Sequence, residues 1–110
     1  MDELTALAAF AALSQSTRLG VLRLLIKAGP EGLVAGEIGE ALSVRQNTMS
    51  ANLQILAQTG LVRSVREGRT IRYFADYETV RGLIGFLMRD CCGGKPELCA
   101  PILEELSCGC

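Results

Sequence analysis

The chain has 110 residues, 49% of them hydrophobic and 21% charged, with a net charge of −1. That length supports one domain with a single small core, and the composition excludes a disordered chain. There is no histidine, which removes the commonest zinc ligand and general base, and the longest apolar-looking stretch, Leu4 to Leu13, is far short of a membrane span.

Residues 4–13 are alanine-rich and apolar nearly all round, with Asp2 and Glu3 suited to a helix N-terminus. A helix this apolar is expected to pack both on its own domain and on a partner. Ser14 to Ser16 break it. A second helix is predicted from Thr17 to Ala28, with Leu19, Leu22 and Ile26 on one stripe and Gly29-Pro30 as the stop. Leu33 to Ala35 reads as a short strand. Gly36 to Leu42 reads as a short helix with Ile38, Ala41 and Leu42 inward. After the turn Ser43-Val44-Arg45, residues 46–59 place Met49, Leu53 and Leu56 on one helical face, and Gly60 ends that helix. Leu61 to Val65 and Ile71 to Ala75 alternate apolar with polar residues around Arg66-Glu67-Gly68-Arg69, the pattern of a β-hairpin. Asp76 can cap a last helix running to about Asp90, with Val80, Leu83, Ile84, Leu87 and Met88 as its stripe. Gly93-Gly94 and Pro96 end it. A short tail follows, with at most one more helical turn over Ile102 to Leu106. The first and last helices carry more apolar face than one small domain covers, so a homodimer through them is expected.

Residues 45–72 carry Arg45, Arg63, Arg66, Arg69 and Arg72 against Glu67 alone, although the chain as a whole is slightly acidic. A basic middle of this kind suits a polyanion. Helix, tight turn, second helix and arginine-bearing hairpin is the order of a winged helix-turn-helix, mainly α with a small β-hairpin (α+β). A helix entering the major groove needs short polar side chains near its N-terminus to meet base edges. Gln46, Asn47, Thr48 and Ser50 supply them, and hairpin arginines suit phosphates or a narrow minor groove.

All five cysteines follow residue 90: Cys91, Cys92, Cys99, Cys108 and Cys110. The N-terminus lacks the basic region and cleavage site of a signal peptide, so a cytoplasmic protein with reduced thiols is expected. An odd, clustered set reads as a site for a soft ion or as a redox sensor, not as a disulfide framework. A thiol enzyme would need a base and an oxyanion cradle, and neither a histidine, a C-x-x-C motif nor a phosphate loop is present.

Thr17-Arg18-Leu19, Val21-Leu22-Arg23-Leu24-Leu25, Met49-Ser50-Ala51-Asn52-Leu53, Leu56, Gly60-Leu61-Val62 and Glu67-Gly68-Arg69 with Tyr73 resemble the ArsR/SmtB family of winged-helix metalloregulatory repressors. The resemblance spans about residues 4–90. It implies a homodimer that represses transcription until an inducer lowers its affinity for DNA. By position, Gln46, Asn47, Ser50 and Asn52 match the family's recognition-helix contacts, and Arg69 and Arg72 lie in its wing. Many relatives have histidines at Ala51 and Asn52 and a serine-type cap at Arg45, so operator preference does not transfer.

The C-x-C pair of many arsenic-sensing relatives falls on Val34 and Gly36, and the histidines of zinc-sensing relatives are missing. Cys91-Cys92 with Cys99 resembles the arsenite-sensing subset with C-terminal sites. Trivalent arsenic or antimony takes three sulfurs in a pyramid, whereas zinc would want four ligands. Gly93-Gly94 would let the tail fold back and bring Cys99 to the pair. The expected division is a DNA-binding and dimerisation domain over 1–90 and an inducer-binding tail over 91–110. Cys108 and Cys110 are open to several roles: further thiolates, a second soft site, a redox pair, or none. Each site could lie within one subunit or draw Cys99 from the other. The expected partners are double-stranded operator DNA, a second copy, and arsenite or a related thiophilic inducer. No resident cofactor is expected in the DNA-bound state and no membrane. A thiol-redox signal, an organoarsenical, cadmium or bismuth is the alternative input.

Overall fold

The computed structural model describes residues 1–89 and 96–106. Along the chain run α1 (Glu3–Leu13), α2 (Ser16–Ala28), a 3₁₀ turn (Gly29–Glu31), β1 (Leu33–Val34), α3 (Ala35–Leu42) and α4 (Gln46–Gln58). Then come β2 (Val62–Glu67), β3 (Thr70–Ala75), α5 (Tyr77–Leu87) and α6 (Pro96–Leu106). The strands form one antiparallel sheet in the order β1-β3-β2. This is a winged helix-turn-helix, as the sequence predicts.

Asp2 caps α1 by accepting from Thr5 N–H at 2.7 Å. Ala6, Ala9 and Ala12 form its buried face, and their small side chains let α1 lie close to α2, α4 and α5. Its larger apolar residues point outward: Leu4 is 78% and Leu7 57% exposed. The helix is thus two-faced, with alanines inward and leucines left for something else. On α5 the predicted stripe divides in the same way. Leu83 is buried, Val80 and Met88 are half-buried, and Ile84 and Leu87 are exposed.

In α2 the buried stripe is Val21, Leu22 and Leu25. Of the predicted Leu19, Leu22 and Ile26, only Leu22 is inward; Leu19 is 43% and Ile26 39% exposed. Leu19, Val21, Leu22, Leu24, Leu25 and Ile26 offer two overlapping apolar stripes, and contact with α1, α3, α4 and β3 selects one of them. In α3, Ile38 is buried and Leu42 half-buried as predicted, but Ala41 is exposed and Gly39 takes the inward place.

The α3–α4 turn closes tightly. Ser43 is left-handed (φ 55°), and Val44 N–H donates to Gly39 O at 2.9 Å. A Cβ on Gly39 would stand 3.0 Å from Val44 O, so the turn depends on that glycine. Met49, Leu53 and Leu56 of α4 then enter the core with Leu25, Ile38 and Leu61.

The hairpin turns at Gly68-Arg69, between the paired residues Glu67 and Thr70. A positive φ at Gly68 alone (63°) matches a II′ turn. Gly32, before β1, also has positive φ (60°), and a Cβ there would stand 2.3 Å from Tyr73 O.

The C-terminal part departs from the predicted short tail. α5 stops at Leu87, a little before the expected Asp90, which lies outside the described residues. α6 is a helix of 11 residues. Pro96 suits its first position, and Leu98, Cys99, Ile102, Leu103 and Leu106 recur at helical spacing. Pro101 lies inside this helix. It is the sixth of the eleven residues of α6, where its missing N–H removes the helical bond to Glu97 O.

Candidate nucleic-acid interface

α4 has a buried and a polar face. Met49, Asn52, Leu53 and Leu56 are buried, while Gln46, Asn47, Thr48, Ser50, Ala51 and Gln54 are exposed. Four of the predicted DNA-facing residues therefore sit together at the exposed N-terminal end of the helix: Gln46, Asn47, Thr48 and Ser50. Asn47 Oδ1 accepts from Thr48 N–H at 2.8 Å.

Asn52 does not join them. It is 7% exposed, its Oδ1 accepts from Arg18 Nη1 at 3.0 Å, and its Nδ2 donates to Thr48 O at 3.1 Å. The expected base contact is instead an inter-helix tie. Asn52 lies three residues from Met49 and four from Leu56, and this spacing turns it to the core side of α4.

The wing lies beside the N-terminal half of α4. Gln46 and Ser50 share a cleft of about 380 Å³ with Arg69, Thr70, Ile71 and Tyr73 of the wing and Val34, Ala35 and Gly36 below it. Arg69, at the hairpin tip, is exposed and meets the helix across this cleft.

Arg72 is placed differently from the expectation. Its Nε donates to Glu67 Oε1 at 3.0 Å in an ion pair, and its Nη1 donates to Glu31 O at 3.2 Å. One end of the guanidinium thus ties the two strands of the wing and the other ties the wing to the 3₁₀ turn. Strand alternation explains this, because cross-strand partners share a face. Glu67 pairs with Thr70 and Val65 with Arg72, so Arg72 and Glu67 fall on the side opposite Ile71 and Tyr73. The same register puts Arg66 opposite Ile71, on the cleft side, and Arg66 is exposed. Arg66 counts in the basic stretch but not among the expected site residues; the two-residue turn at 68–69, which pairs Glu67 with Thr70 and Arg66 with Ile71, is the signal that places it there. Arg63 lies 4.4 Å over the Phe74 ring, on the Arg72 face.

Comparison with known proteins agrees with this architecture. A helix-turn-helix domain family matches residues 13–65. An ArsR-like transcriptional regulator from Rhodococcus sp. RHA1 is 27% identical and superposes over 97% of this chain and 96% of its own, with a TM-score of 0.69. A homodimeric winged helix-turn-helix DNA-binding domain from Mycobacterium bovis, described as a possible ArsR-family transcriptional regulator, is 28% identical. It covers 78% of this chain and 80% of its own at a TM-score of 0.63. In fold and in sequence this chain is similar to winged-helix transcriptional regulators of the ArsR family. The uncharacterised HTH-type transcriptional regulator YceK of Bacillus subtilis (strain 168) is 36% identical over 61 residues, which are 56% of this chain and 60% of YceK. These relatives are regulators and not enzymes.

A regulator of the kind this chain resembles needs an input as well as a DNA face. Among the described residues no three His, Cys, Asp or Glu side chains converge on one point. Val34 and Gly36, on the cleft, carry no thiol. Cys91, Cys92, Cys108 and Cys110 lie outside the described residues. Cys99 is on α6, only 8% exposed and engaged in a disulfide. It borders an apolar cavity of about 140 Å³ between α5 and α6, lined by Ile84, Gly85, Met88, Ile102, Leu103 and Leu106. The helix that carries Cys99 therefore faces the helix that leaves Ile84 and Leu87 exposed.

Proposed function

We propose that this protein is an arsenite-responsive repressor. It acts in the cytoplasm as a homodimer through α1 and α5. Each subunit presents Gln46, Asn47, Thr48 and Ser50 to the major groove of operator DNA, with Arg69 and Arg66 on the adjoining backbone or minor groove. Residues 1–90 bind DNA and dimerise, and residues 91–110 receive the inducer. Trivalent arsenic, or antimony, binds Cys91, Cys92 and Cys99. A dithiol reductant first converts the disulfide at Cys99 to two thiols and is itself oxidised to a disulfide. Three thiols and arsenous acid then give one tris-thiolate and three waters, and soft sulfur ligands select such an ion over magnesium or calcium.

One observation carries the sensing half: the buried Cys99 on α6 faces α5 across their shared cavity. Binding at that thiol acts directly on the dimerisation helix, and the two DNA-binding heads ride on that dimer. By linkage, DNA weakens inducer binding as much as inducer weakens DNA binding, commonly by ~1–3 kcal/mol.

The test is fluorescence anisotropy of the reduced protein on DNA from its own upstream region, titrated with arsenite, zinc and peroxide. Arsenite should release the wild type. Cys99→Ser should bind the same DNA and ignore arsenite. Loss of operator binding in Cys99→Ser would overturn the sensor assignment.

The disulfide at Cys99 favours a second reading, a thiol-redox switch. Two thiols and one hydrogen peroxide give a disulfide and two waters. Release by peroxide, reversed by a dithiol, with no response to arsenite would select it.

A further inference from the structure

We propose that Arg18 is a positioning residue for DNA recognition, fixing the tilt of α4 relative to α1. The inference rests on the DNA-binding reading above and assigns a role that neither the polar tip nor the wing explains.

Arg18 sits in the first turn of α2, where its own N–H is capped by Gln15 Oε1 at 2.9 Å. Its guanidinium then bridges two other helices. Nε donates to Ala12 O at 2.6 Å, one of the end carbonyls of α1 that have no acceptor role within the helix. Nη1 donates to Asn52 Oδ1 on α4 at 3.0 Å. Asn52 Nδ2 continues to Thr48 O, one turn nearer the exposed polar tip. The chain of bonds runs from α1 through α2 to the carbonyl of a predicted base-contacting residue.

Arg18 is half-buried, and among the described residues it is in no ion pair; the two ion pairs there are Arg72–Glu67 and Arg81–Glu78. Two neutral oxygens hold this cation between three helices. The planar fork of arginine presents Nε and Nη in fixed, divergent directions, which a lysine ammonium cannot reproduce. The amide of Asn52 is buried in the face of α4 that also carries Met49, Leu53 and Leu56, so turning α4 would break the 3.0 Å bond and strand that amide.

The consequence is geometric. In a dimer built on α1, the two recognition helices must meet half-sites about 34 Å apart, one helical turn of DNA. Arg18 connects the helix that would set subunit spacing to the helix that would enter the groove.

The experiment uses full-length reduced protein on its upstream duplex, with affinity measured between 50 and 200 mM salt and thermal melting and sedimentation alongside. The variants are Arg18→Lys, Arg18→Ala, Asn52→Ala, Asn52→Asp and the double alanine. Arg18→Lys and Arg18→Ala should lower affinity roughly tenfold or more, the equivalent of losing one charged hydrogen bond. The salt slope should not change, because no phosphate contact is lost. The double alanine should bind no worse than Arg18→Ala, since both residues act as one unit. Asn52→Asp, which keeps the acceptor for Arg18, should bind more tightly than Asn52→Ala.

A slope shallower by about 0.9 per subunit would make Arg18 a phosphate contact and overturn the proposal. So would additive penalties, equal affinities of Asn52→Asp and Asn52→Ala, or wild-type affinity in Arg18→Lys. Arg18→Lys keeps the charge and stem, so it serves if the alanine variants do not fold. A wild type that binds no duplex at all would bring down the DNA-binding reading, and this role with it.

Discussion

Arg69 and Arg72 are three residues apart in the same hairpin, yet the structure gives them different work, and salt dependence can separate them. Arg69 stands exposed at the tip beside Gln46 and Ser50. Arg72 is held by Glu67 and Glu31 O. Each phosphate neutralised contributes about 0.9 to the slope of log affinity against log salt. A dimer loses two such contacts in Arg69→Ala, so its slope should be shallower by about 1.8. From 50 to 200 mM salt, the affinity advantage of the wild type should then shrink by about 12-fold. Arg72→Ala should leave the slope unchanged. Its cost falls on the wing, where a partly exposed ion pair is worth ~0–1 kcal/mol. The assay is anisotropy of a labelled duplex over that salt range. Equal slope changes in the two variants would refute the assignment of Arg72 to the wing's own structure.

Further outcomes are expected elsewhere. Arg66→Ala should shift the salt slope in the same direction as Arg69→Ala, and an unchanged slope would take the cleft face of β2 out of the DNA contact. Gly32→Ala should destabilise the fold by more than ~1 kcal/mol, seen as a lower denaturation midpoint, because its Cβ would stand 2.3 Å from Tyr73 O at a positive φ. Leu7→Asp should yield a folded monomer in sedimentation, since Leu7 is 57% exposed on α1; a dimer would exclude that face. Asp2 has its carboxyl held below the ordinary value by hydrogen bonds from Thr5, the side-chain bond first and the backbone bond second. Its contribution to capping is therefore present above the unfolded pKa and is lost as pH falls through the lowered folded value. An NMR titration of Asp2 with an ordinary or raised midpoint would contradict the cap.

Composition, periodicity and punctuation were enough for the order of elements through residue 87. Met49, Leu53 and Leu56 recur with the period of a helix, and Gly68 sits where a tight hairpin turn needs a positive φ. The exposed tip of α4 was legible for the same reason, since Gln46, Asn47, Thr48 and Ser50 precede or flank the apolar face. Sequence period says which residues share a side, but only packing says which side meets what. Leu19 and Ile26 lost the core to Val21 and Leu25 because three neighbouring helices approach α2 from one direction. Asn52 and Arg72 looked like DNA contacts because they are polar and near the right motifs. Their bonds go to Arg18, Thr48, Glu67 and Glu31, and three of these four bonds join separate elements that only folding brings together. α6 exceeds the single turn expected over Ile102 to Leu106, and its Cys99, Ile102, Leu103 and Leu106 line a cavity against α5, a contact that only folding supplies. Local chemistry thus determined what each segment is. The direction each side chain faces, and therefore whether an arginine or an amide serves DNA or the fold, was decided by long-range packing.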